Sequence, residues 1–216
     1  MTNHGLDSRR SRFTQDHPGP KSTSSQDFVR LATLLYQTSA LDLKNTDGNQ
    51  SIYALAGIPM LFSALRCLLV ELNDGFLSNG HSNREVLEKL AMQSNDVKVI
   101  VECYPQMPAD LCADLKLLLE IRHEIIHPSH RPGPEKNNTP SYLFSLRLAG
   151  LLQSTERETD YTWMGQLQSH KLFRWAFDTV AQTVEVLLRA HDSYALDGIL
   201  ESYSRYKAID VIPKVP

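Results

Sequence analysis

"PADLCADLKLLLEIRHEIIH", residues 108–127, decides how the rest of the chain is read. Pro108 suits the first position of a helix, and Asp110 places a carboxylate in its first turn, against the positive end of the helix dipole. At about 100° per residue, Leu111, Leu115, Leu118, Leu119, Ile125 and Ile126 fall in one broad apolar stripe, which Leu117 and Ile121 widen. Arg122 is expected near the middle of that stripe, an uncommon place for a permanently charged guanidinium. His123 and His127, four residues apart, share the narrow polar side with Lys116 and Glu120. Pro128 disfavours helical geometry at His127, so the helix stops there. The following "PSHRPGPEKNNTP" is a loop that carries His130 and Arg131 beside the helix end.

Outward from this helix the pattern stays helical. Between 27 and 206 there is no sustained alternation of apolar and polar residues and no Asn-Gly hairpin. Ser24 and Asp27 can cap "DFVRLATLLYQTSALDL". "SIYALAGIPMLFSALRCLLVEL" follows, with Pro59 inside it as a kink or a break. "SNREVLEKLAM" opens on Ser or Asn, and "SNDVKVIVECY" is a short helix closed by Pro105. Thr139-Pro140 starts "PSYLFSLRLAGLLQ". "SHKLFRWAFDTVAQTVEVLLRAH" and "SYALDGILESYSRYKA" complete an all-α bundle over 27–206, between a polar tail at 1–26, expected to be disordered, and a short tail at 207–216.

Residues 52–72 have the length of a membrane span, yet Arg66 lies well inside them. The reading is a buried core helix, with no membrane partner. No apolar stretch of signal-peptide type occurs at the N-terminus. Its "RRSR" is read as part of a solvated tail. Cys67, Cys103 and Cys112 form no C-x-x-C pair and sit among apolar neighbours, as buried thiols in a reducing cytoplasm do. The formal charge of −3 excludes coating of nucleic acid by bulk electrostatics but leaves room for a local basic site. Trp163, His170, Phe173 and Trp175 are read as core or surface residues rather than a base-stacking platform. There is no Gly-rich phosphate loop and no nucleophile elbow.

Two chemistries overlap at residues 122–127. "HEIIH" matches H-E-x-x-H, in which His123 and His127 would bind zinc and Glu124 would act as general base. A catalytic zinc needs a third protein ligand. The metzincin extension fails because His130 stands where Gly should be, and Glu156 and Glu158 lie in a polar loop. The competing frame is "RHEIIH", an Arg followed by a polar residue and, five positions on, a His. As a string it is weak, and its weight comes from its place at the C-terminal end of an apolar helix in an all-α chain. The alternative for Arg122 is a structural ion pair with Glu71 or Glu120, with His127 favourable at the helix C-terminus.

In that position, "RHEIIH" resembles the R-[N/H/D]-x(3-5)-H motif of the HEPN superfamily of small helical bundles. The likeness covers about residues 50–190 in helix order and specific residues only at 122–127. The resemblance implies a homodimer that brings two motifs into one cleft and cleaves RNA without a metal or other cofactor. Arg122 would bind the scissile phosphate, His127 would serve as acid or base while the 2′-OH attacks, and His123 would assist. His130 and Arg131 would contact substrate. It also implies a toxin or phage-defence setting, with an antitoxin or nucleotidyltransferase partner. Ser129 stands where some HEPN toxins carry the Tyr that such a partner modifies, so the acceptor for that control is missing. The alternative within the superfamily is a non-catalytic binding domain.

Overall fold

The structure, a computed structural model, describes residues 23–45, 50–75, 77, 82–93, 95–127, 141–152, 163–191 and 196–209. Among these there are ten helices and no strand, the all-α architecture expected. They are α1 (Ser24–Asn45), α2 (Tyr53–Asn73), α3 (Arg84–Met92), α4 (Asp96–Cys103), α5 (Ala109–Ile126), α6 (Ser141–Leu148), α7 (Trp163–Gln166), α8 (His170–His191), α9 (Leu196–Ser204) and α10 (Tyr206–Ile209). A single antiparallel bridge, Gln50 to Ser169, ties the approach to α2 to the start of α8.

Local chemistry sets the helix starts. Thr23, one residue before the Ser24 expected from the sequence, caps α1. Gln26 N–H donates to Thr23 Oγ1 at 3.3 Å and Thr23 N–H to Gln26 Oε1 at 3.4 Å, a reciprocal capping box. The helical part therefore begins inside the stretch assigned to the N-terminal tail. The rest of that tail, 1–22, lies outside the described residues. At the other end α10 takes in the first three residues, 207–209, of the expected C-terminal tail, and 210–216 lie outside the described residues. Asn83 and Asn95 cap α3 and α4 by accepting from Val86 N–H and Lys98 N–H. Ser169 Oγ does the same for α8, accepting from Leu172 N–H at 3.2 Å. Pro108 stands at the N-cap of α5 rather than its first helical position.

The apolar run at 52–72 becomes the central helix. α2 continues unbroken through Pro59 and packs against α1, α5 and α8. Ala54, Gly57, Ile58, Leu61, Phe62, Ala64, Leu65, Leu68, Leu69, Leu72 and Asn73 are buried, so the helix is covered on most of its circumference. That accounts for a composition apolar enough to cross a membrane. Gly57 marks the closest approach. A Cβ built there would lie 1.9 Å from Cζ of Phe173 on α8. Phe173 in turn meets Tyr36 of α1 edge-on, with ring centroids 5.3 Å apart, and Phe177 stacks on Tyr206 at 4.6 Å. These rings lock α1, α2, α8 and α10 together, and α5 is laid against α2 and α8.

Candidate functional site

The site grows from the last two turns of α5. Its buried residues are Leu111, Leu115, Leu118, Ile121 and Glu124. The spacing shifts from four residues to three, and each step of three turns the buried face back by about 60° around the axis. The seam therefore rotates away from Arg122, which is half-buried at its edge rather than at its centre as the stripe suggested. Ile125 is also only half-buried, and Ile126 is 39% exposed. The charged group drawn into the bundle is Glu124, at 7% exposure. The helix stops as Pro128 requires. His127 is the C-cap with φ −124° and ψ 68°, and its N–H still reaches His123 O at 2.8 Å.

Arg122 does not make the structural pairs considered from the sequence. Glu71 is occupied at the start of α1, accepting from Ser25 N–H at 3.1 Å and Ser25 Oγ at 2.5 Å. Glu120 is exposed. Among the described residues the Arg122 guanidinium forms no ion pair or hydrogen bond. Its charge acts instead on Asp96, the first residue of α4. Asp96 is ion-paired with Arg66 of α2, whose other terminal nitrogen donates to Leu90 O at 3.2 Å. That carboxylate, its side chain 15% exposed, is held by Arg66 and feels the charge of Arg122. Burial pushes the Asp96 carboxyl above its ordinary range, and Arg66 and then Arg122 partly offset this.

His123 and His127 are exposed at the same helix end, their ring centroids 5.3 Å apart and tilted by 55°. Arg122, His123 and His127 are therefore brought together on one helix end. His130 and Arg131 lie outside the described residues. Two imidazoles at this spacing can grip one ligand, and a catalytic zinc needs a third ligand and a general base beside them. Among the described residues no group of three His, Cys, Asp or Glu side chains could hold a metal ion. Glu124, which would have to reach a metal-bound water, is buried while both imidazoles face out. Among the described residues, this donor set does not fit a catalytic zinc.

Arg66 and Asp96 were not singled out as site residues in the sequence. A signal existed. An Arg inside an otherwise apolar helix calls for a carboxylate, and "ND" at 95–96 supplies one at a helix start. The other polar clusters are structural. His170 Nδ1 is 2.6 Å from Ser39 Oγ and its ring stacks on Tyr36 at 4.6 Å, within the core. Asn73 Nδ2 donates to Tyr104 Oη at 3.0 Å, and Tyr104 Oη lies 2.9 Å from His191 Nε2. Burial holds the His191 imidazole below its ordinary range and the Tyr104 phenol above its own. The three cysteines are free and half-buried rather than fully buried, and burial raises the Cys67 thiol. Trp175 is half-buried against the core, and the side chain of Trp163 lies outside the described residues.

No protein-family model, curated protein or solved structure matches the chain.

Proposed function

We propose that the chain is a HEPN-like, metal-independent endoribonuclease of toxin or phage-defence type, acting in the cytoplasm as a homodimer. The observation that carries this reading is Arg122. It is a half-buried guanidinium without an ion pair or hydrogen bond among the described residues, on the same helix end as two exposed imidazoles. A guanidinium left with open donors suits a phosphate oxygen, to which it presents a planar fork. An imidazole titrates near neutrality and can take a proton from the attacking 2′-OH or give one to the leaving 5′-oxygen. Attack of the 2′-oxygen on phosphorus breaks the P–O5′ bond and leaves a 2′,3′-cyclic phosphate. In a dimer the second helix end would supply the other half of the acid–base pair. The exposed Ile126 at that end supports such an interface.

The test is RNA cleavage by the purified chain with chelator present. Arg122→Ala and His127→Ala should each lower the rate by about 10²–10⁴-fold while unfolding stays cooperative, and His123→Ala should cost less. Products should end in a 2′,3′-cyclic phosphate. Loss of activity in chelator defeats the metal-independent mechanism. If no RNA is cut under any condition, the non-catalytic binding domain takes its place.

A further inference from the structure

Lys89 stands in the last turn of α3, and Cys103 is the last residue of α4. The Lys89 ammonium donates to Cys103 Sγ at 3.7 Å and pairs with Glu85 Oε1 at 3.0 Å. Sulfur is a weak acceptor, so an ammonium directed at a thiol is a poor structural bond. The Lys89 side chain is 32% exposed and Cys103 is half-buried, which leaves the pair within reach of small solutes. The other two thiols are placed differently. Cys112 Sγ faces a backbone carbonyl, Met107 O, at 4.0 Å, and burial raises the Cys67 thiol. Neither Lys89 nor Cys103 belongs to the helix end that carries Arg122, His123 and His127.

We infer that Lys89 and Cys103 form a modification site, at which hydrogen peroxide links the two side chains through one oxygen atom as an N–O–S bridge. The first peroxide oxidises sulfur. An S–H and an O–O bond break, an S–O bond forms, and water leaves a sulfenic acid. Its oxygen then stands beside Lys89 Nζ. The second peroxide oxidises the amine. An N–O bond forms between Nζ and the sulfenic oxygen, an N–H, the sulfenic O–H and the second O–O bond break, and two waters leave. One thiol, one neutral amine and two peroxides thus give the bridge and three waters. Glu85 is placed to take the proton that the ammonium must first lose. One oxygen spans less than 3.7 Å, so Nζ moves inward, as its flexible four-carbon stem allows. The bridge closes residues 89–103 into a ring and ties α3 to α4. It is independent of the role proposed for Arg122.

The experiment treats the full chain with excess hydrogen peroxide, blocks the remaining thiols, digests with trypsin and maps the peptides by mass spectrometry without reductant. Cleavage after Lys98 parts the two residues unless they are linked. The peptides bearing Lys89 and Cys103 should appear joined, with one oxygen gained and two hydrogens lost, while Cys67 and Cys112 stay thiols. Excess dithiothreitol should return both peptides unmodified, which distinguishes the bridge from the irreversible sulfinic and sulfonic acids. Lys89→Gln and Cys103→Ser should each abolish the joined species, and either serves if the other does not fold. In Lys89→Gln, Cys103 should instead go on to the sulfinic acid. The inference is overturned by oxidation of Cys103 that leaves Lys89 unmodified, by equal oxidation of the three cysteines, by a Cys103 thiol that survives the peroxide, or by a joined species in Lys89→Gln. The closed ring should also raise the urea midpoint of the treated protein, as a disulfide does, and leave that of treated Cys103→Ser unchanged. No rise in the crosslinked protein overturns the tie between α3 and α4.

Discussion

Gly57→Ala should destabilise the protein, although alanine is the better helix former. An ideal Cβ at this position would stand 1.9, 2.4 and 2.8 Å from three ring carbons of Phe173. Carbon atoms rest at about 3.5–4.0 Å, so the nearest pair is too close by about 1.6 Å. The ring cannot swing away, because Phe173 is fully buried and bounded by Tyr36 and Phe177. α2 and α8 must separate, or the aromatic cluster must repack. Overpacking of this kind costs about 1–3 kcal/mol, and three ring contacts place this case at the upper end. The intrinsic gain of alanine over glycine in a helix offsets at most about 1 kcal/mol, leaving a net loss of about 2 kcal/mol. Urea denaturation should show a lower midpoint at an unchanged slope. Phe173→Leu should relieve the clash, so the double variant should be more stable than the sum of the single effects implies, by about 1–2 kcal/mol. A neutral or stabilising Gly57→Ala, or strict additivity with Phe173→Leu, would refute the close approach of the two helices.

Other outcomes follow from the site and its surroundings. Glu124→Gln should leave RNA cleavage within a few-fold, since that carboxylate is buried away from the imidazoles; total loss would restore it as a general base. Elemental analysis should find no stoichiometric zinc, and one tightly held zinc per chain that is lost in His123→Ala would favour the protease chemistry. Light scattering at micromolar concentration should give a dimer that Ile126→Glu converts to a monomer with loss of cleavage; a monomeric parent protein removes the composite site. The neutral His191 imidazole should make stability depend on pH. Its folded pKa is lowered from 6.5, so the unfolded chain binds the proton more readily. Stability should then fall as pH drops from about 6.5 toward the folded value, and level off below it. His191→Gln, which retains an acceptor for Tyr104 without titrating, should flatten that slope.

Much of the fold was legible because its signals are local. Asn83, Asn95 and Ser169 cap from within a few residues of the helices they start, and Pro128 stops α5 from the adjacent position. α2 announced itself as a core helix through apolar character on nearly all sides. The site was only half legible. Arg122, His123 and His127 share one helix end, as their spacing required. The rotation of the buried seam in α5 was not legible, because which face is covered depends on what α2 and α8 present at each level. The Arg66–Asp96 pair joins residues 30 apart across two helices and leaves no periodic trace. The Thr23 cap was misplaced by one residue because serines and threonines crowd the start of α1.

Arg66 also has a mechanical meaning. By holding the carbonyl of Leu90 and the carboxylate of Asp96 together, one side chain of the central helix fastens the end of α3 and the beginning of α4. Those short helices have few buried residues of their own: Val86 and Leu90 in α3, Val97, Val99 and Ile100 in α4. Such a segment opens more readily than the core, and does so as a unit when it is pinned at one point. Amide hydrogen exchange across 84–103 should therefore speed up in Arg66→Ala while α8 stays protected.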